Sequence, residues 1–222
     1  MSIAAQLNRL KAELPPHVKL VAVSKYCPES AIQEAYDAGQ RIFGESRAQE
    51  LVPKYEHLPK DIEWHFIGHL QPNKVKYIAP FIDTIHSVDS VKLLQEISEQ
   101  AQKHSRRIKV LIEIHIAAED SKYGYNPYMG RLFLEKTDLS QFANVDIIGL
   151  MGMATYTEDA GQIRNEFAEL TRLFTRLKRN ALKENNLFKD LSMGMSNDYK
   201  LAIEAGSTIV RIGSKIFQTT NS

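Results

Sequence analysis

Lys25 stands where an α/β fold would place a reactive side chain. It follows the apolar, β-branched run LVAV at 20–23, and the helix-start signal Pro28-Glu29 comes soon after it. Pro28 is predicted as the first residue of this helix and Gly39 as its stop. An apolar run of this length before a helix start predicts a buried strand, with Lys25 at its carboxyl end. There a partly desolvated lysine gives up its proton more readily and can attack a carbonyl to form a Schiff base. The alternative is a lysine that extends its charge into water.

Two turns rich in small residues could bind an anion. One is SMGMSND at 192–198 and the other is RIGSK at 211–215, and each leads from a predicted strand into a helix. Loops after strands seven and eight of a β/α barrel commonly bind phosphate, because helix N-termini and glycine backbone favour an anion there. Together with Lys25, these turns predict a site for a phosphorylated aldehyde.

Eight apolar runs alternate with helical patterns and would bring these residues together. The predicted strands cover 20–25, 41–44, 63–68, 81–86, 108–116, 145–150, 190–193 and 208–212, of which the fifth is the longest. An amphipathic helix over 1–14 precedes them, and the strongest helical periodicity covers about 159–184. This order predicts one domain over 1–222, a single α/β (β/α)8 TIM-type barrel with an extra N-terminal helix. A doubly wound open sheet is the alternative.

Composition excludes several classes of partner. The 222 residues carry 28 basic and 27 acidic side chains, a balance that favours neither nucleic acid nor an anionic membrane surface. The single cysteine, Cys27, excludes an internal disulfide and fits a reducing compartment. The sequence shows neither a signal-peptide pattern nor an apolar run long enough to span a membrane, so we expect a cytoplasmic protein.

Five segments make the sequence similar to a known family. They are VAVSK at 21–25, FGE at 43–45, WHFIGHLQPNK at 64–74, SMGMSND at 192–198 and GSTIVRIGS at 206–214. In order and spacing they resemble the pyridoxal phosphate homeostasis protein family, over about residues 19 to 217. The resemblance implies a barrel like the N-terminal domain of alanine racemase, with pyridoxal 5'-phosphate as the cofactor. It implies that seven residues bind the cofactor: Lys25, Ser46, Met193, Ser196, Arg211, Gly213 and Ser214.

The resemblance also implies a role for most of these residues. Lys25 would carry the cofactor as a Schiff base, and Ser196, Gly213 and Ser214 would hold its phosphate. Arg211 would face the pyridine nitrogen. The family binds, buffers and delivers the cofactor, so apo forms of pyridoxal phosphate-dependent enzymes are the expected partners. No robust catalytic activity and no metal are expected.

The sequence departs from the family at three places. Ser46 follows Phe-Gly-Glu where the family usually has asparagine, which would shorten or remove a contact near the cofactor ring. The fifth strand reads EIHI at 113–116, where the family has asparagine and small residues, and Gln218 replaces the usual glycine after Phe217. The first two departures concern the fine geometry of the site rather than cofactor binding.

Two enzymatic alternatives compete with a carrier. An amino-acid racemase would use the same cofactor, but an arginine keeps its proton, so Arg211 would leave the pyridine nitrogen unprotonated and weaken carbanion chemistry. Alanine racemase works with such an arginine by adding a tyrosine from a second domain, which this sequence does not contain. A cofactor-free Schiff-base aldolase would use Lys25 but leaves the phosphate turns and Arg211 unexplained. A barrel without that second domain is expected to be a monomer.

Several other side chains have ordinary structural interpretations. His65 and His69 would share a zinc ion only if Gly68 turned the chain sharply, and His86 and His115 are interpreted as hydrogen-bonded residues at strand ends. Cys27 is interpreted as a buried, inert thiol, although a helix N-terminus could activate it. Glu45 could act as a general base or pair with a cation. Lys122, Tyr123 and Tyr125 form either a lid over the site or a solvated turn.

Overall fold

The computed structural model describes residues 1–119 and 123–218. Its strands are β1 (Lys19–Val23), β2 (Ile42–Glu45), β3 (Glu63–Phe66), β4 (Thr84–Val88), β5 (Ile108–Ile114), β6 (Val145–Gly152), β7 (Asp190–Ser192) and β8 (Ile209–Ile212). Its α-helices are α1 (Ile3–Glu13), α2 (Glu29–Asp37), α3 (Ala48–His57), α4 (Pro72–Ile78), α5 (Val91–Lys103), α6 (Pro127–Lys136), α7 (Ala160–Arg179), α8 (Tyr199–Glu204) and α9 (Ser214–Phe217). A short 3-10 helix covers Leu139–Gln141.

The strands form one closed parallel barrel. Each strand pairs with the next in chain order, and β8 returns to pair with β1. At this closure Val21 lies opposite Arg211 and Ala22 opposite Ile212, so the turns after β1 and β8 leave the barrel side by side. The predicted (β/α)8 barrel with an N-terminal helix is confirmed, and the open sheet is excluded.

Alternation along each strand separates two environments. On β1, Leu20 and Ala22 belong to the large apolar core that includes the helices, whereas the buried Val21 lies outside that cluster. Because side chains of a strand alternate between its faces, Val21 and Val23 share the face toward the barrel interior, and Lys25 follows in the turn at the end of β1. The same alternation assigns Arg211 and Gly213 of β8 and its turn to the interior. The strand pattern therefore directs these side chains toward one axis.

Helix termini follow the sequence signals closely in most places. The hydroxyl of Ser2 accepts a hydrogen bond from the N–H of Ala5 and caps α1, whose residues Ile3, Leu7 and Leu10 are buried. Gly39 has φ +85° immediately after the end of α2, as its predicted role as a helix stop requires. None of the helices in 1–119 and 123–218 has the length and apolar character needed to cross a membrane.

Four predicted details were wrong. β4 covers Thr84–Val88 rather than 81–86, since Phe81 stacks on Tyr55 outside the barrel, with ring centroids 3.9 Å apart. β6 rather than β5 is the longest described strand, and α7 ends at Arg179 instead of near 184. Pro28 is the N-cap of α2 instead of its first helical residue.

Candidate functional site

A cleft of about 370 Å³ lies at the carboxyl ends of the strands. Six of the seven predicted cofactor-binding residues line it: Lys25, Ser46, Ser196, Arg211, Gly213 and Ser214. Its other lining residues are Val23, Ile67, Met153, Ala154, Thr155, Tyr156, Thr157, Ile163, Met195, Asn197 and Asp198. The strand ends therefore unite a lysine, an arginine and several hydroxyls that are far apart in the sequence.

Lys25 lies in the turn directly after β1. Its side chain is exposed at the cleft wall, so the predicted partial desolvation of the lysine was wrong. The next residue, Tyr26, has φ +64°, a left-handed conformation that is uncommon for a residue with a large side chain. The guanidinium of Arg47 lies over the Tyr26 ring, 5.2 Å from its centroid. Arg47 therefore packs against the turn that carries the amine.

A buried ion pair supports this turn from behind. The Glu45 carboxylate accepts hydrogen bonds from the hydroxyl of Ser24 at 2.6 Å and from Nζ of Lys54 at 2.7 Å. Nζ of Lys54 also donates to the backbone oxygen of Ser24 at 3.0 Å. Burial raises the pKa of Glu45, although the two hydrogen bonds partly oppose the shift. Of the two predicted roles for Glu45, the structure therefore favours pairing with a cation, and it adds Lys54, which the sequence did not indicate.

Cys27 has the structural character expected of it. Its side chain is half-buried in the apolar core, and burial raises the pKa of its thiol despite the nearby charge of Lys54. A raised thiol pKa leaves less thiolate at neutral pH. The structure therefore favours the inert thiol over the activated one.

The turn after β7 has a defined backbone shape. Gly194 has φ +95°, and a Cβ there would lie 2.5 Å from Cβ of Ala202, so glycine is required on both counts. The Asp198 carboxylate accepts a hydrogen bond from the N–H of Met195 at 2.5 Å and holds the turn closed. Ser196, at the tip, is half-buried and lines the cleft.

The turn after β8 lies against the end of β1. A Cβ on Gly213 would lie 2.9 Å from the backbone oxygen of Val23, so glycine permits this close approach. Ser214 is exposed and begins α9, which the sequence analysis expected only as a helix start. Since α9 has four residues, a helix dipole contributes less here than the local hydroxyl and N–H groups.

Arg211 forms the floor of the cleft. Its side chain is buried, and Nη1 donates to the backbone oxygen of Ser192 at 3.0 Å and to its hydroxyl at 2.6 Å. Nη2 donates to the backbone oxygen of Gly152 at 3.2 Å. Burial lowers the pKa of Arg211 to about 10, with Glu113 and Asp198 opposing the shift, so the guanidinium stays protonated at neutral pH.

Met193 does not line the cleft. It is fully buried and belongs to the apolar core between the strands and the helices. Strand alternation explains this, because Ser192 faces the interior, where its hydroxyl contacts Arg211, and the next residue faces outward. Met195, two residues further along, is the methionine that lines the cleft.

The loop after β6 completes the wall. The Glu166 carboxylate on α7 accepts hydrogen bonds from the N–H of Thr155 at 2.7 Å and from its hydroxyl at 2.6 Å. Tyr156 follows and is 84% exposed, so an aromatic ring projects at the mouth of the cleft. Sequence reasoning did not identify Thr155 or Glu166, because no local pattern links a loop threonine to a helix glutamate.

His65 and His69, which could have shared a zinc ion, contact different residues. Nδ1 of His65 lies 2.8 Å from Nε2 of His86 in the interior, whereas Nδ1 of His69 lies 3.2 Å from Oδ2 of Asp89 near the surface. His69 also stacks on Tyr123, with ring centroids 3.9 Å apart, and Lys122 of the predicted lid lies outside the described residues. Nε2 of His115 lies 2.9 Å from the backbone oxygen of Glu119, as a hydrogen-bonded residue at a strand end should.

One cluster of potential metal ligands lies at the amino end of the barrel. Glu63, His65 and Asp83 bring their ligand atoms within 4.8 Å of one another. Nζ of Lys109 already lies 3.1 Å from Oδ2 of Asp83, so an ammonium group neutralises this carboxylate. Asp83 therefore already has a cationic partner in Lys109.

Comparison with known proteins gives a consistent set of relatives. The family model described as "Alanine racemase, N-terminal domain" matches residues 1–221. The pyridoxal phosphate homeostasis protein of Aquifex aeolicus is 42% identical over 200 residues, which cover 90% of this chain and 86% of that protein.

Solved structures agree with the sequence comparison. PipY of Synechococcus elongatus without PLP is 38% identical with a TM-score of 0.91, and the match covers 97% of this chain and all of that one. The structure of PipY with PLP bound gives a TM-score of 0.87 at the same identity and coverage. An alanine racemase of Clostridium difficile shares the fold at 14% identity and a TM-score of 0.76, and the match covers 57% of that longer chain.

Proposed function

This chain belongs to the pyridoxal phosphate homeostasis protein family, and from that membership we propose that it binds pyridoxal 5'-phosphate in the strand-end cleft. Its role is intracellular buffering and delivery of the cofactor, which it holds as a Schiff base on Lys25. The observation that carries the proposal is the convergence of Lys25, Arg211 and the turn hydroxyls in one cleft. A cleft of about 370 Å³ is in the range of small-molecule sites.

The residues of the cleft fit the separate parts of this cofactor. Lys25 presents its amine at the wall, and attack on the aldehyde carbon followed by loss of water forms the Schiff base. Ser196, Gly213 and Ser214 hold the phosphate through hydroxyl and backbone N–H groups. Arg211 would offer an N–H to the ring nitrogen from the floor of the cleft, and Ser46 would contact the ring from the wall.

Retention of the proton on Arg211 argues for a carrier. Bound pyridoxal phosphate supplies an electrophilic aldehyde and an electron-withdrawing ring. A guanidinium that stays protonated at neutral pH offers only N–H donors, so the ring nitrogen beside it remains unprotonated and withdraws electrons less strongly. Arg211 therefore favours holding the cofactor over racemisation.

The test is the absorption spectrum of the purified protein before and after borohydride, with peptide mapping of the reduced adduct. The expected result is a yellow protein whose label maps to Lys25 and disappears in Lys25→Ala. Lys200→Ala is the matched control, because Lys200 is exposed outside the cleft. A colourless protein that stays unlabelled after incubation with pyridoxal phosphate would overturn the proposal.

We further propose that the protein is a cytoplasmic monomer that delivers the cofactor to apo forms of pyridoxal phosphate-dependent enzymes. Light scattering should give the mass of one chain. Mixing the loaded protein with a purified apo-enzyme should restore activity, and a donor that remains fully loaded would exclude delivery.

Racemisation would instead appear as Lys25-dependent exchange of an amino-acid Cα proton with solvent.

A further inference from the structure

A line of polar side chains crosses the barrel interior behind Arg211. Nη1 of Arg211 donates to the Ser192 hydroxyl at 2.6 Å, and that oxygen lies 3.0 Å from Nδ1 of His86. Nε2 of His86 lies 2.8 Å from Nδ1 of His65, and Nε2 of His65 lies 3.6 Å from Oδ1 of Asp83. β4 and β7 are not neighbours in the barrel, so His86 and Ser192 meet across its interior.

The two ends of this line have opposite and fixed hydrogen-bonding character. A guanidinium has donors and no acceptor, whereas an ionised carboxylate has acceptors and no donor. Burial of Asp83 works against its ionisation, but the contacts with His65 and Thr84 and the charge of Lys109 prevail and lower its pKa. Arg211 at one end and Asp83 at the other therefore set the direction of every link between them.

Only one placement of the protons satisfies every contact between Arg211 and Asp83 while both imidazoles are neutral. The Ser192 oxygen accepts from Arg211, so its hydroxyl proton is free to donate to Nδ1 of His86. Neutral His86 then carries its proton on Nε2 and donates to Nδ1 of His65. His65 in turn carries its proton on Nε2, facing Asp83. The reverse tautomers would turn an unprotonated nitrogen of His65 toward the Asp83 carboxylate.

Burial and charge favour the neutral form of His86, on which this arrangement depends. Ser192 and His86 are fully buried, and His65 is 4% exposed. Burial lowers the pKa of His86 well below its ordinary value, and the positive charges of Arg211 and Lys19 add to the effect against the opposing charge of Asp83. A neutral imidazole can accept from Ser192, which an imidazolium cannot do.

We propose that Ser192, His86 and His65 are positioning residues that orient Arg211 toward the ring of the bound cofactor. The inference rests on the proposed function, because it assigns Arg211 a ligand to face. His86 fixes the proton of Ser192, and Ser192 fixes Nη1 of Arg211 through its hydroxyl and its backbone oxygen. Asp83 and His65 set the tautomer from the opposite end of the barrel.

The predicted tautomers of His65 and His86 are tested first, in the protein without cofactor. Long-range ¹H–¹⁵N NMR of the cofactor-free protein at pH 7.5 should show His65 and His86 as Nε2–H tautomers, each with an acceptor Nδ1. In Ser192→Ala the Nδ1 signal of His86 should move toward that of a nitrogen without a donor. Finding Nδ1–H or imidazolium at His86 in the wild type would overturn the inference.

The effect on Arg211 is tested with matched variants of the loaded protein. His86→Leu removes the acceptor for Ser192, and we expect about tenfold faster cofactor loss together with a shifted absorption band. His86→Asn keeps an oxygen acceptor near the former Nδ1 and should restore retention to within about twofold. If His86→Leu and His86→Asn both fold but lose the cofactor equally fast, the positioning role is overturned. His104→Asn, at an exposed histidine, is the control.

The outcomes separate this inference from the proposed function. If Lys25 of the wild type cannot be labelled, the cofactor assignment fails. The NMR tautomers of His65 and His86 then decide whether the hydrogen bonds of the barrel interior are assigned correctly. If Lys25 is labelled but His86 is not an Nε2–H tautomer, only the positioning role fails. If His86→Leu does not fold, the wild-type tautomers and the Asn variant still decide.

Discussion

Glu113 brings a carboxyl group into the electrostatic environment of Arg211. It is 3% exposed on β5, and its Oε2 has no hydrogen-bond partner among the described residues. Burial, together with the charge of Asp89, raises its pKa from the ordinary 4.5 to about 7, against the attraction of Arg211. Glu113 is therefore partly protonated at neutral pH. Its charge, and with it the field at Arg211, changes near that pH.

This shift predicts a pH-dependent stability. Between pH 4.5 and about 7 the folded chain keeps a proton on Glu113 that the unfolded chain has lost, so stability falls as the pH rises. Glu113→Gln cannot ionise and should gain up to about 3 kcal/mol relative to wild type across this window. Urea unfolding at pH 5 and pH 8 measures the difference. A gain that is the same at both pH values would contradict the assignment, and Glu184→Gln, at an exposed side chain, is the control.

The phosphate assignment has its own mutational signature. Ser196→Ala and Ser214→Ala each remove one hydroxyl from a surface of the cleft that carries little of the core, so retention should fall more than stability. We expect about a tenfold weaker affinity for each, the size of one lost hydrogen bond to a charged group. Equilibrium dialysis measures affinity and thermal melting measures stability. Unchanged retention in the double variant would exclude these serines as phosphate ligands.

At the scale of single residues, the sequence predicts where a residue lies in the fold better than which other residues its side chain contacts. Lys25, Arg211 and Gly213 could be placed at one site because each stands at or just after the carboxyl end of a predicted strand, and these ends meet on one face of a barrel. Met193 was predicted to bind the cofactor, but it lies in the apolar core and does not line the cleft. Lys54 and the contact of His86 with Ser192 depend on tertiary contacts between strands and helices that no local pattern encodes.

At the scale of elements, α3 is tied to the first two strands by the Glu45–Lys54 ion pair. Lys54→Met leaves a fully buried carboxylate without its cation and should destabilise the fold by about 3–5 kcal/mol. Glu45→Gln combined with Lys54→Met should recover much of that loss. Urea unfolding measures both, and a double variant as unstable as the single one would refute the ion pair. Arg164→Met, in an exposed pair with Glu204, should cost about 1 kcal/mol or less.

The contact between β6 and β7 depends on Gly149. A Cβ at this position would lie 1.6 Å from the backbone oxygen of Asp190, and a backbone atom cannot move aside as a flexible side chain can. Gly149→Ala should therefore destabilise the protein by about 3 kcal/mol or more, or prevent folding. Gly161→Ala is the control, because α7 gains helix propensity there and the nearest side-chain atom is 3.1 Å away. Thermal melting and soluble yield compare the two, and equal effects would contradict the argument.

Strand and helix order could be predicted because apolar runs and helical stripes alternate without interruption. Boundaries were less predictable where an apolar residue belongs to the outside of the barrel. Phe81 extended the apolar pattern of β4 at its start, but the ring packs on Tyr55 of α3. Conversely, Met151 and Gly152 extend β6 although glycine usually ends a strand pattern, since Gly152 pairs with Ile114 of β5.

At the scale of the whole molecule, cofactor binding should stabilise the entire barrel. The cleft takes residues from β1, β8 and the loops after β2, β6 and β7, so unfolding any of them releases the ligand. At one hundred times its dissociation constant, pyridoxal phosphate should add about 2.7 kcal/mol. For a chain of this length, that corresponds to a rise in Tm of about 5–10 °C. Lys25→Ala should lose most of the shift, and an equal shift in that variant would exclude covalent capture.

The pairing of β1 with β8 closes the barrel and joins its first strand to its last. Lys25 precedes Arg211 and Gly213 in the chain, so during synthesis the lysine leaves the ribosome before the residues of β8. Until β8 docks, the lysine is an ordinary amine on a nascent chain, able to react with aldehydes but unable to retain this one. Retention of the cofactor therefore reports that β8 has docked on β1 and that the barrel is closed.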